Sequence, residues 1–75
     1  MPRMPRIAGT EVRRVLRSFG WVVVAQRGSH VQLKHPARPG RVTIPIHAGE
    51  TIGPRLLSSI LRQAGLSLDQ FRTAL

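Results

Sequence analysis

The sequence predicts an α+β domain: a three-stranded antiparallel sheet with helices packed on one of its faces. Three observations lead there. Apolar residues recur at helical spacing near each end, the stretch between them alternates between apolar and polar, and Gly/Pro-containing turns separate the segments.

Val12, Val15, Leu16 and Phe19 are spaced i, i+3, i+4, i+7 within residues 9–19, which makes one helical stripe that Gly20 stops. Arg13, Arg14 and Arg17 fall on the other side, either as a solvated face or as phosphate contacts. Trp21 to Gln26 is apolar and β-branched until Arg27-Gly28 breaks it. Ser29 to Lys34 alternates, with Val31 and Leu33 on one side and His30, Gln32 and Lys34 on the other. His35-Pro36-Ala37-Arg38-Pro39-Gly40 is a turn. Arg41 to Ile46 alternates again, and Pro45, which has no N–H to donate, belongs on an edge strand.

Gly53-Pro54 opens a second helix whose stripe is Leu56, Leu57, Ile60, Leu61 and Ala64, with Gly65 at its end. Ser67 and Gln70 have the spacing of a capping box. They start a short last helix carrying Leu68, Phe71 and Leu75. The order is αβββα plus this helix, in one domain over residues 1–75 with residues 1–6 as an N-terminal arm.

A tight turn at Arg27-Gly28 would pair Ala25 with His30 and Val24 with Val31. A turn between Ala37 and Arg38 would pair Lys34 with Arg41, Gln32 with Thr43 and His30 with Pro45. This register puts Val22, Val24, Val31, Leu33, Val42, Ile44 and Ile46 in the core. The open face then carries His30, Gln32, Lys34, Arg41 and Thr43, with Trp21 and Val23 alongside and the small Ala25 and Pro45 leaving room beside His30. His47 would lie diagonally from His30 if the third strand continued that far.

Composition narrows the function. Twelve Lys and Arg, eleven of them Arg, face three acids for a net charge of +9, a balance that attracts polyanions. Glu11, Glu50 and Asp69 are too few and too scattered for a carboxylate-held metal pair. Cysteine is absent, no stretch is long and apolar enough for a membrane span, and the N-terminus lacks the apolar run of a signal peptide. The expectation is a soluble, cytoplasmic protein with a nucleic-acid partner and no membrane association.

An imidazole among cations suits phosphodiester chemistry. His30 can take the proton of an RNA 2′-hydroxyl or protonate the leaving 5′-oxygen, and Arg27, Lys34 and Arg41 can neutralise phosphate charge. His30, His35 and His47 lack metal-ligand spacing, so neither metal nor cofactor is expected. His47 suits capping a loop through its ring nitrogens more than catalysis. No helix-turn-helix is present, and of Phe19, Trp21 and Phe71 only Trp21 is placed to stack on a base.

Gly28-Ser29-His30, Pro45-Ile46-His47-Ala48-Gly49 and Leu57-Ser58-Ser59-Ile60-Leu61-Arg62-Gln63-Ala64-Gly65 together resemble the HicA toxins, messenger-RNA interferases of bacterial and archaeal toxin–antitoxin pairs. The resemblance runs from about Ile7 to the C-terminus. It implies a fold like the double-stranded-RNA-binding domain, a catalytic role for His30, metal-independent cleavage of mRNA, and a HicB antitoxin that covers the active face. RNA contacts are then expected from Arg27, Gly28, Ser29, Lys34, Arg41 and His47. Family members often have Ser or Thr before the first helix, where this chain has Ala8. Two other readings stay open: a non-catalytic RNA-binding module working through Arg13, Arg14, Arg17 and Arg55, and an interaction protein whose basic surface meets an acidic partner.

Overall fold

In a computed structural model that describes residues 6–75, the order is β1 (Ile7–Ala8), α1 (Gly9–Ser18), β2 (Val22–Arg27), β3 (His30–His35), β4 (Arg38–Pro45), β5 (Thr51–Ile52), α2 (Pro54–Ala64) and α3 (Leu68–Ala74). Most of the predicted N-terminal arm lies outside the described residues. β2, β3 and β4 form the antiparallel sheet, with β3 in the middle. The helices bury their stripes on one face of it: Val12, Val15 and Leu16 from α1, Leu57, Ile60, Leu61 and Ala64 from α2, and Phe71 from α3. Val31, Leu33, Val42 and Ile44 meet them from β3 and β4.

The helix ends follow their local chemistry. Gly65 and Leu66 donate their N–H groups to the carbonyls of Arg62 and Leu61, closing α2 in a Schellman arrangement. Ser67 and Gln70 cap α3 reciprocally, at 3.0 and 2.8 Å. Ala8 precedes α1 with no side-chain cap. Leu56, expected in the α2 stripe, is 40% exposed.

β2 departs from the predicted register. The hairpin closes in two residues, Gly28 and Ser29, so Arg27 rather than Ala25 faces His30, and Gln26 rather than Val24 faces Val31. Only the first turn position has positive φ, Gly28 at 56°, the pattern of a type II′ turn and the reason glycine stands there. A bulge between Val23 and Ala25 shifts the ladder again, leaving Val23 opposite Leu33 and Val22 opposite Lys34. Val22 and Val24 therefore leave the predicted core and are 56% and 47% exposed, while Trp21 enters it at 2%.

His35 accompanies Trp21, with ring centroids 5.4 Å apart in an edge-on arrangement. Its Nδ1 accepts the Ala37 N–H, so Nε2 carries the proton and donates to the Phe19 carbonyl at 3.0 Å. This histidine ties the β3–β4 turn to the end of α1.

On the other side of β3 the expected pairs His30–Pro45 and Gln32–Thr43 are present. Lys34 does not pair with Arg41. A bulge between Leu33 and His35 intervenes, and the turn closes earlier, with His35 opposite Arg38. β4 consequently begins at Arg38 rather than Arg41 and ends at Pro45.

A second, two-stranded ladder was not legible in the sequence: Ile7 pairs with Ile52 and Ala8 with Thr51. It brings the start of α1 against the end of β4. A Cβ on Gly9 would lie 2.8 Å from the Pro45 carbonyl oxygen and 2.9 Å from the Ile46 side chain.

Two substitutions at this junction should have opposite signs. Gly9→Val should lower unfolding stability by about 1–3 kcal/mol through overpacking. Ala8→Ser should raise it by about 1 kcal/mol by supplying the missing cap. Urea denaturation of both variants beside the wild type measures the two effects.

Candidate active site

His30 opens β3, the central strand, and its surroundings follow from the ladder. Ile46 donates its N–H to the Ser29 carbonyl at 2.7 Å. That bond flanks the His30–Pro45 pair and marks it as a non-hydrogen-bonded pair, the closer of the two antiparallel kinds at about 4.5 Å between Cα atoms. At such a position the nitrogen of the edge residue faces away from the ladder. Pro45 therefore costs the sheet no hydrogen bond, and its ring stands beside the imidazole.

Alternation from His30 places Gln32 and Lys34 on the same face, opposite the one covered by helices. Arg27, Ala25 and Val22 join them from β2, and Pro45 and Thr43 from β4, by register. Arg41 donates to the Gln32 side-chain carbonyl, which brings its guanidinium onto this face as well. His30, Arg27, Lys34 and Arg41 are all exposed. The cations are not equidistant from His30. Arg27 stands directly across from it, whereas Lys34 is four residues along β3, roughly 13 Å away at about 3.3 Å per residue.

His47 lies beyond the end of β4, in the loop leading to β5, so the strand continuation needed for a diagonal pairing with His30 does not occur. Its Nε2 instead lies 3.1 Å from the Ser29 hydroxyl, and its carbonyl accepts the Glu50 N–H at 3.1 Å. The turn residue Gly28 is open: nothing lies within 4 Å of where a Cβ would be. Gly28 to His30 and His47 thus share one end of the sheet.

Other candidates separate from this end. His35 is spent on the core contacts described above. Trp21 is buried rather than on the open face, so it offers no stacking platform; Phe71 is buried and Phe19 half-buried. On α1, Arg14 is paired with Glu11 at 2.9 Å. The hydrogen bond from Arg14, then its charge, holds the Glu11 carboxyl below the usual carboxylate range. Arg13 is half-buried and Arg17 exposed. Both belong to the helical layer, on the far side of the sheet from His30. Among the described residues no three His, Asp or Glu side chains stand together as a metal site. No helix among them is long and apolar enough to cross a membrane.

A search of curated proteins returns no match. A family model described as HicA toxin of bacterial toxin–antitoxin matches residues 9–66, from the first residue of α1 to just past the end of α2. That span is well over half of the chain and includes Ser29, His30, Pro45 and His47; the chain belongs to the HicA toxin family.

Proposed function

We propose that this toxin is an endoribonuclease that cuts messenger RNA in the cytoplasm without a metal ion, using His30 as general acid or base, and is held inactive by a HicB-type antitoxin. The observation that carries the reading is the state of His30. It is an exposed imidazole on the central strand, neither ring nitrogen has a hydrogen-bond partner among the described residues, and Arg27 is its cross-strand partner.

RNA supplies its own nucleophile. The 2′-oxygen forms a bond to phosphorus as the bond from phosphorus to the 5′-oxygen breaks, leaving a 2′,3′-cyclic phosphate and a free 5′-hydroxyl. The protein has to accept the 2′-hydroxyl proton, deliver one to the 5′-oxygen, and stabilise charge on the phosphate. His30 carries one of those protons. Arg27, at its level, serves the reacting phosphate, while Lys34 and Arg41 hold phosphates further along the strand. Gly28 lets the RNA backbone approach the turn closely, and Ser29 and His47 complete the contact surface. An antitoxin covering this face would block substrate and catalyst together.

Purified wild type should cut a long RNA with EDTA present throughout. His30→Ala should keep the fold and the affinity for RNA while cleavage falls by about 10²–10⁴-fold. Wild-type cleavage by that variant would overturn the assignment. Binding without cutting by both proteins would instead indicate an RNA-binding module.

Three phosphate contacts also predict a salt dependence. Binding of the inactive variant to single-stranded RNA should weaken with a log–log slope of about −2, at about −0.7 per contact. Removing Arg41 should reduce that slope by about one contact, which fluorescence anisotropy across a salt series would read.

A further inference from the structure

Cleavage of this kind moves two protons, and His30 accounts for one. We infer that His47 is the second acid–base group of the same site, with the Ser29 hydroxyl holding its ring in place. The inference rests on the ribonuclease reading above.

Ser29 is gripped at two points by consecutive residues of the loop after β4: its carbonyl by the Ile46 N–H at 2.7 Å and its hydroxyl by His47 Nε2 at 3.1 Å. The loop is thereby fixed to the residue immediately before His30. The two imidazoles are set at one end of the sheet by a single step of backbone, although they lie 17 positions apart in sequence.

The contact leaves His47 able to work. A hydroxyl accepts as well as donates, so Ser29 can accept from Nε2–H both in the neutral ring that carries its proton on Nε2 and in the imidazolium. The hydrogen bond therefore survives a change of protonation at Nδ1, which has no hydrogen-bond partner among the described residues. His47 is exposed and also lines a cleft of about 320 Å³ between the start of α1 and its own loop. Charged groups at this end include Arg27 across from His30 and Glu50 in the His47 loop.

One of the two histidines takes the proton from the 2′-hydroxyl and the other gives one to the departing 5′-oxygen. No water or further reactant enters the step.

His47→Gln is the decisive variant, because an amide can keep the bond to the Ser29 hydroxyl but cannot carry the proton. Cleavage should fall by about 10²-fold or more with KM for RNA within about twofold of wild type and an unchanged thermal midpoint. The bell-shaped pH–rate profile of the wild type should lose one limb. Ser29→Ala, which frees the ring without removing it, should lose less and keep both limbs. An RNA with a bridging 5′-sulfur, whose leaving group needs no proton, should restore cutting by either His30→Ala or His47→Gln and not by both. Wild-type rates and both limbs in His47→Gln would overturn the inference, and loss of cutting by His30→Ala in the same assay would leave the ribonuclease reading standing. If the wild type binds this RNA without cutting it, both fall together.

Discussion

The two-residue turn at Gly28-Ser29 sets what surrounds His30. Positive φ at Gly28 lets β2 fold back onto β3 at once, so Arg27 pairs with the histidine. A turn two residues longer would put Ala25 there and carry the guanidinium into the loop. The same turn ends with Ser29, whose carbonyl and hydroxyl anchor the loop after β4. One glycine conformation thus governs the cation across from His30 and, through the next residue, the attachment of His47. On the other flank the constraint is Pro45, admissible because its missing donor falls where the edge strand needs none.

Division of labour between the two sheet faces follows from this. All the large apolar burial is on the helical face, where Val31, Leu33, Val42 and Ile44 interleave with three helices. The open face is left with side chains that contribute little to the core, so they are free to be cationic, polar or titratable. A histidine on a central strand has a paired strand on each side, which fixes it more closely than a loop would. His47 has no strand to hold it and depends on its own side-chain bond. Without an exposed aromatic platform among the described residues, the proposed contact with RNA on this face would run through phosphates rather than stacked bases, and phosphate contacts carry little sequence information.

Helical segments and β3 were legible because each shows a period. The stripes of α1 and α2, the capping box of α3 and the alternation from His30 to Lys34 all reappear in the fold. β2 was opaque for a physical reason. Trp21-Val22-Val23-Val24-Ala25 is an unbroken apolar run with no period of two, so nothing in it says which residues face inward. The bulge then shifts the pleat midway. The order of burial, Trp21 in and Val22 and Val24 out, is settled by packing against His35 and α1. Two-residue ladders such as β1–β5 are too short to leave any periodic signal. Of the candidate site, His30 and its Pro45 neighbour could be read directly. The Arg27 pairing and the Ser29–His47 bond depend on one turn and one loop that only the folded chain reveals.

On the proposed reading, a chain of 75 residues can carry a nuclease site because RNA brings the nucleophile with it. A nuclease for DNA must activate water, commonly with metal ions held by several carboxylates. Attack by a neighbouring 2′-hydroxyl needs only proton carriers and positive charge. Three acids against twelve Lys and Arg are a poor supply of metal ligands and a good supply of phosphate contacts. On the proposed reading these are two consequences of one composition: the charge that draws the chain to RNA also makes a metal site hard to build. On that reading the site would be complete as soon as the chain folds, with no ion whose loading could restrain it. Control would then come from something that occupies the face itself, the role proposed above for the antitoxin.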